Sequence, residues 1–126
     1  MREILFRGKS TKNNKWAYGY YVYDGILKEH LILWNEDNEY ADRGEYIDPK
    51  TLGQYTGLKD KNENKIFEGD ILSYSDINES TGKYIVKWKD SSSQFVAMND
   101  INFIPTWIWD KLQIIGNIHD NKELIK

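Results

Sequence analysis

Trp16-Ala17-Tyr18-Gly19-Tyr20-Tyr21-Val22-Tyr23 sets the fold class of this chain. Its bulky residues are aromatic or β-branched, the types that suit a pleated surface. A two-residue period places Trp16, Tyr18, Tyr20 and Val22 on one face and Ala17, Gly19, Tyr21 and Tyr23 on the other. Upstream, Ile4 to Arg7 reads as a first strand, and Gly8 to Lys15 as a polar turn with Asn13-Asn14 at its tip. Downstream, Asp24-Gly25 is a tight-turn dipeptide, and Ile26 to Trp34 reads as a third strand. Residues 35–45 are polar and acidic with no apolar period and read as a loop.

The second half continues in the same style. Ile47 to Tyr55 contains Pro49, so its start is expected at an edge or a turn. Gly57 to Asn64 is rich in turn residues, and Ile66 to about Tyr74 leads into a strand. Asp76 to Gly82 reads as another turn. Lys83 to Lys89 alternates, with Tyr84, Val86 and Trp88 on one side and Lys83, Lys87 and Lys89 on the other. Ser91-Ser92-Ser93 joins it to a strand over Gln94 to Met98, which makes a hairpin. Residues 99–112 are expected to form either a helical turn after Pro105 or an irregular strand. Gln113 to Ile118 is a last strand, and Asp120 with Glu123 has capping-box spacing for a closing helical turn.

Composition supports this reading. Alanine occurs three times and isoleucine fifteen, and aromatics make up 14% of the 126 residues. A chain this long is one domain's worth and buries a core without staples. There is no cysteine, which excludes disulfides, thiolate metal sites and cysteine nucleophiles. The net charge of −3 argues against coating duplex DNA by bulk charge. No apolar run is long enough for a membrane span or a secretory segment, so a cytoplasmic protein without membrane contact is expected.

Tests for chemistry are mostly negative. His30 and His119 stand in no motif, and there is no nucleophile elbow, phosphate loop or dinucleotide fingerprint. Asp60-x-Asn62-x-Asn64 opens like a calcium loop, but the sixth and twelfth positions are Lys65 and Ile71 where such a loop needs Gly and Glu. It reads instead as a polar turn. Glu68 and Asp70 would share a face on a strand, yet Glu-Gly-Asp is also an ordinary turn. Asn78-Glu79-Ser80 matches a glycosylation acceptor, which is meaningless without secretion. The expectation is a non-enzyme with no catalytic residues, no metal and no cofactor. An enzyme would need Glu68, Asp70 and His119 to converge in a pocket.

Charge and aromatics are uneven. Residues 1–15 carry five bases against Glu3, while residues 24–48 carry eight acids against two bases. These blocks read as solvated surface, or as complementary patches that bring two copies together. Tyr18, Tyr20, Tyr21, Tyr23, Tyr84, Trp88, Trp107 and Trp109 offer either core, interface or stacking faces.

Gly53-Gln54-Tyr55-Thr56-Gly57-Leu58-Lys59-Asp60-Lys61 followed by Ile66-Phe67-Glu68-Gly69-Asp70-Ile71 resembles the signature of the YopX family of small phage and prophage proteins. Met1 to Arg7 is similar to the family's opening, and Ile115-Gly116-Asn117-Ile118-His119-Asp120-Asn121 with Glu123-Leu124 to its close. The family often has glycine where Glu63 or Asn64 stands here, and proline at Lys122. The resemblance implies a mainly β fold with a small N-terminal β-meander (1–52) packed with a C-terminal SH3-like barrel (53–126), in one domain over 1–126. It also implies a phage or prophage origin and action in the bacterial cytoplasm, without supplying a reaction.

Within the signature, Gly57, Asp60, Glu68, Gly69, Asp70, Gly116 and Asn117 are expected to be structural, the glycines for positive φ or close approach. Tyr55, Lys59, Lys61, Trp88, Trp107 and Trp109 are the candidate ligand or interface residues. The expected function is an accessory protein that binds a host or phage protein, with self-association as a further expectation. The alternative is nucleic-acid binding through a β face bearing Lys83, Lys87 and Lys89 near Lys59, Lys61 and Lys65.

Overall fold

The computed structural model describes residues 3–35, 43–74 and 82–125. The chain is mainly β, in two antiparallel sheets, and divides into two compact units, Met1–Tyr55 and Thr56–Lys126.

The first unit contains β1 (Phe6–Ser10), β2 (Trp16–Asp24), β3 (Glu29–Trp34) and most of β4 (Arg43–Lys59). Neighbours pair antiparallel in chain order, and β1 also pairs β4, which closes the four strands into a ring rather than leaving an open meander. β2 alternates over the two expected faces, and packing decides that the Ala17 and Gly19 face turns inward. Ala17 and Gly19 are buried with Ile32 and Ile47, and Phe6, Tyr21, Trp34 and Leu52 pack against that cluster. The interior of so small a ring has little room. A Cβ on Gly8 would lie 2.4 Å from Ile47 Cδ1, and one on Gly19 would lie 2.1 Å from the backbone oxygen of Leu33.

Three boundaries differ from expectation, each for a local reason. β1 is displaced towards Ser10, whose backbone pairs Ile47. β3 starts at Glu29 because Asp24 Oδ1 accepts the amides of Ile26 and Leu27, curling those apolar residues into the turn. Pro49 does not end a strand, because β4 bulges around it: two steps on β1, from Arg7 to Lys9, match five on β4, from Gly53 to Asp48. Thr51 Oγ1 accepts the Lys9 amide at 2.8 Å and donates to the Asp48 carbonyl, supplying the bonds the bulge removes. Of the expected 35–45 loop, residues 43–45 belong to β4 and 36–42 lie outside the described residues. Most of the turn expected over 76–82, with Asn78-Glu79-Ser80, also lies outside them.

The second unit holds β5 (Lys65–Phe67), beside β4, and a sheet of β6 (Asp70–Ser73), β7 (Lys83–Lys89), β8 (Gln94–Met98), β9 (Phe103–Ile104) and β10 (Gln113–Asn117) in the order β10-β6-β7-β8-β9. This arrangement is compatible with an SH3-like barrel. The hairpin of β7 and β8 runs over the expected residues. A 3-10 helix over Thr106–Lys111 follows Pro105, the helical one of the two expected alternatives, and a second covers Lys122–Ile125. Ile66, Leu72, Tyr84, Val86, Ala97, Ile104, Trp109 and Leu112 form the core.

Candidate functional site

The signature residues are occupied with backbone bonds. Asp60 is buried, and its Oδ1 accepts the amides of Asn62 and Asn64 while Oδ2 accepts that of Ile114 at 3.0 Å. One carboxylate thus holds its own turn and ties it to the start of β10, 54 residues away in the chain. Burial pushes this carboxyl up, but the Ile114, Asn64 and Asn62 amides outweigh it and leave it below the ordinary 3.8. With both oxygens facing amides, the segment forms the polar turn and not a calcium loop. Gly57 and Gly69 have φ of 89° and 90°, which explains glycine at both. A Cβ on Gly116 would meet Asn121 Oδ1 at 2.5 Å. Asn117 Oδ1 accepts the amides of His119 and Asp120, which turns the chain after β10.

Glu63, one of the two positions at which the resemblance leads to an expectation of glycine, has φ 66°. Its ion pair with Lys59, at 4.0 Å and exposed, contributes little. Glu63→Gly is therefore expected to stabilise the protein by about 0.5–1 kcal/mol, relief of left-handed strain exceeding glycine's entropic cost. Urea unfolding of the two proteins checks this.

Glu68, Asp70 and His119 come from neighbouring chain segments, since Asn117 pairs Asp70 and the Ile118 amide donates to Gly69 O. Asp70 is turned inward, however, with Oδ2 accepting the Phe67 amide at 2.7 Å, and is only 2% exposed. His30 lies at 2.6 Å from the Tyr21 hydroxyl and against the Tyr23 ring. Among the described residues no three His, Asp or Glu side chains group as a metal site.

The aromatic candidates separate. Trp109 is fully buried, its Nε1 donating to Ile104 O at 3.1 Å, so it is a core residue and not a surface contact. Tyr55 is likewise buried. Trp107 is 78% exposed. Trp88 is half exposed, edge-on to Phe95, and donates to Asp90. Lys59 and Lys61 are exposed, but Lys59 faces Glu63. Lys83, Lys87 and Lys89 share one side of β7, with Ile85 between them.

Ile85 was overlooked in the alternation, and it reveals a surface. The register runs Ile71–Ile85–Met98–Phe103 across β6, β7, β8 and β9, on the sheet face opposite Leu72, Tyr84, Val86 and Ala97. Exposure rises along this row from 0% at Ile71 to 68% at Phe103. Beside it, a groove of about 350 Å³ is lined by Ile85, Asn99, Ile101, Leu124 and Ile125 among others. Asn99 braces the rim, since its Oδ1 accepts the amides of Ile101 and Asn102 and its Nδ2 donates to Lys83 O. Ile101 is thereby held outward, 87% exposed. The sequence signal for this surface was an apolar residue on the lysine side of β7, followed by apolar residues with no consistent period over 101–108.

On the first unit, Trp16, Tyr18 and Tyr20 share the outward side of β2. Across the ladder, Lys9 pairs Trp16 and Arg7 pairs Tyr18.

These features define a mainly β protein whose signature residues fix turns and whose apolar side chains break the surface. The chain belongs to the YopX family, whose model, described as YopX protein, matches residues 5–126. Among solved structures, it is similar to the crystal structure of protein EF1440 from Enterococcus faecalis, at 23% identity and a TM-score of 0.52 over 100% of both chains. That likeness supports the fold. No curated protein matches the sequence. No helix among the described residues is long and apolar enough to cross a membrane.

Proposed function

We propose that this chain is a non-enzymatic phage or prophage accessory protein that binds a host or phage protein in the bacterial cytoplasm. The observation that carries this reading is the Ile71–Phe103 row, an apolar ladder that begins in the interior and emerges into solvent beside Ile101 and Ile125. Exposed large apolar side chains gathered in this way mark interaction surfaces, and aromatic anchors dominate binding energy at such contacts. The groove suits an apolar segment of the partner, with Ile101 and Phe103 as the protruding groups. Phage origin and compartment rest on the family. Self-association through the same row is the competing use of this surface.

The test is affinity capture from phage-infected host lysate, with and without nuclease, followed by binding of the purified partner. Phe103→Ser and Ile101→Ser are each expected to weaken that binding at least tenfold, as truncated anchors do, with the thermal midpoint unchanged because both side chains project outward. Undiminished binding by both variants, or recovery of only the protein itself, removes the reading. The nucleic-acid reading on Lys83, Lys87 and Lys89 loses force here because Ile85 divides the lysines and Asp90 follows them.

A further inference from the structure

We infer that the outward face of β2, β3 and β4 in the first unit is a docking face for a second copy of this chain, separate from the Ile71–Phe103 row. Two rows of the ladder build it. Val22 pairs Leu31, which pairs Tyr46, and Tyr20 pairs Leu33, which pairs Gly44. Along each strand these residues alternate with Ala17, Gly19, Ile32 and Ile47, which turn inward, so both rows look outward. Gly44 leaves a dip in the second row, and Leu33 leans over it: Leu33 Cδ2 lies 2.9 Å from where a Cβ on Gly44 would stand. Tyr18 continues the face along β2 and is 47% exposed, with Tyr20 at 58%, Val22 at 41% and Tyr46 at 45%. The turn that joins β2 to β3 adds Ile26, at 91%.

The charges around this face select its occupant. Neither row carries a charged side chain. At the margin, acids and bases are mixed. Lys9 stands opposite Asp48 in the ladder, Lys12 shares a cleft with Glu29, and Lys15 shares another with Glu45. Arg7 is buried, its guanidinium carbon 4.5 Å from the centre of the Trp16 ring. At the far end Asp24 pairs Glu29, with Lys28 exposed in the turn between them. A surface of one sign attracts a partner of the other sign and repels its own copy. This face has no single sign, so it neither recruits phosphates nor repels itself. A two-fold contact sets one patch against the same patch and needs that neutrality.

Size and shape fit the same occupant. The four strands close into a ring, so contact is made by the side chains of one face on another, as when two sheets pack together, and not by adding a strand. The three tyrosines together expose about 300 Å², which with Val22 and Ile26 is as large as the apolar patches that monomers keep for function. An aromatic centre of this size inside a mixed polar rim is the anatomy of one side, about 800 Å², of a stable dimer.

The test is sedimentation velocity of the full chain between about 1 and 200 µM, at about 50 and 500 mM salt. A monomer–dimer equilibrium is expected, with a dissociation constant that changes less than about threefold with salt, because no net charge holds the contact. Tyr20→Glu and Tyr46→Glu, which place charge at the centre, are each expected to raise that constant at least tenfold, while Tyr20→Phe, which keeps the ring, retains it. Circular dichroism checks that the variants are folded. The thermal midpoint of the parent should rise with protein concentration, and that of Tyr20→Glu should not. Phe103→Ser should dimerise like the parent, which separates this face from the apolar row on the second unit. A monomer at the highest concentration, a dimer that both glutamate variants retain, a dimer that Phe103→Ser dissolves, or dissociation in high salt would each overturn the proposal.

Discussion

Gly19→Ala is expected to cost about 3 kcal/mol or more, the upper range of overpacking effects, and to lower the thermal midpoint by roughly 10–20 °C. The new Cβ would lie 2.1 Å from the backbone oxygen of Leu33 and 3.2 Å from Ile32 Cγ2. A side-chain tip moves aside cheaply, but a carbonyl in a ladder does not. Leu33 pairs Tyr20 on one side and Gly44 on the other, so a shift large enough to admit a methyl group disturbs both junctions of β3. Gly8→Ala supplies the comparison. Its nearest contact is the end of the Ile47 side chain, with Cβ and Cγ2 of Ile47 at 3.1 Å, so a smaller loss is expected. Thermal and urea unfolding of the two variants measures the difference. A Gly19→Ala protein within about 1 kcal/mol of the parent would show that β2 does not approach the Leu33 carbonyl of β3 as closely as described.

Asp60→Ala is expected to cost about 3 kcal/mol, because three amides lose a charged acceptor. The Ile114 amide matters most, since it lies in a half-buried position at the junction of β10, whereas the turn amides are better placed to recruit water. Asp60→Asn, which retains one carbonyl oxygen, should fall between Ala and the parent. The same carboxylate gives a pH dependence. Its folded value lies below the ordinary 3.8, so the unfolded chain binds the proton more tightly. Its contribution is present above about pH 4 and is lost as pH falls through the folded value. Urea unfolding between pH 7 and pH 2.5 should therefore show a steeper acid loss for the parent than for Asp60→Asn. Equal slopes would remove Asp60 as the source.

Regular hairpins were legible because their information is local. β7 and β8 alternate cleanly about a serine-rich turn, and β2 alternates through eight residues, so period and turn chemistry were sufficient. Legibility failed where a side chain overrode the local signal. Ile26 and Leu27 have strand-like character, but the Asp24 carboxylate draws their amides into a turn. Pro49 signals an interruption, but Thr51 repairs it with a bond to Lys9, 42 residues away. The YopX signature named the positions that fix turns, yet the reach of Asp60 to Ile114 spans most of the second unit and leaves no trace in spacing.

The candidate surfaces show the same division. Period places Tyr18 and Tyr20 on one face of β2, but that this face looks outward was decided by the packing of Ala17 and Gly19 against Ile32 and Ile47. Trp107 and Trp109 were indistinguishable. On a strand, residues two apart share a face, and both would be exposed or both buried. In the 3-10 helix over Thr106–Lys111 each residue turns by about 120°, so Trp109 enters the core and Trp107 leaves it. Sequence alone determined the β class, the family and the turn glycines, because each depends on residues within a few positions of one another. Closure of the first ring through β1 and β4, the apolar row from Ile71 to Phe103 and the opposite fates of the two tryptophans were decided only by tertiary structure, because each depends on strands and side chains brought together from distant parts of the chain.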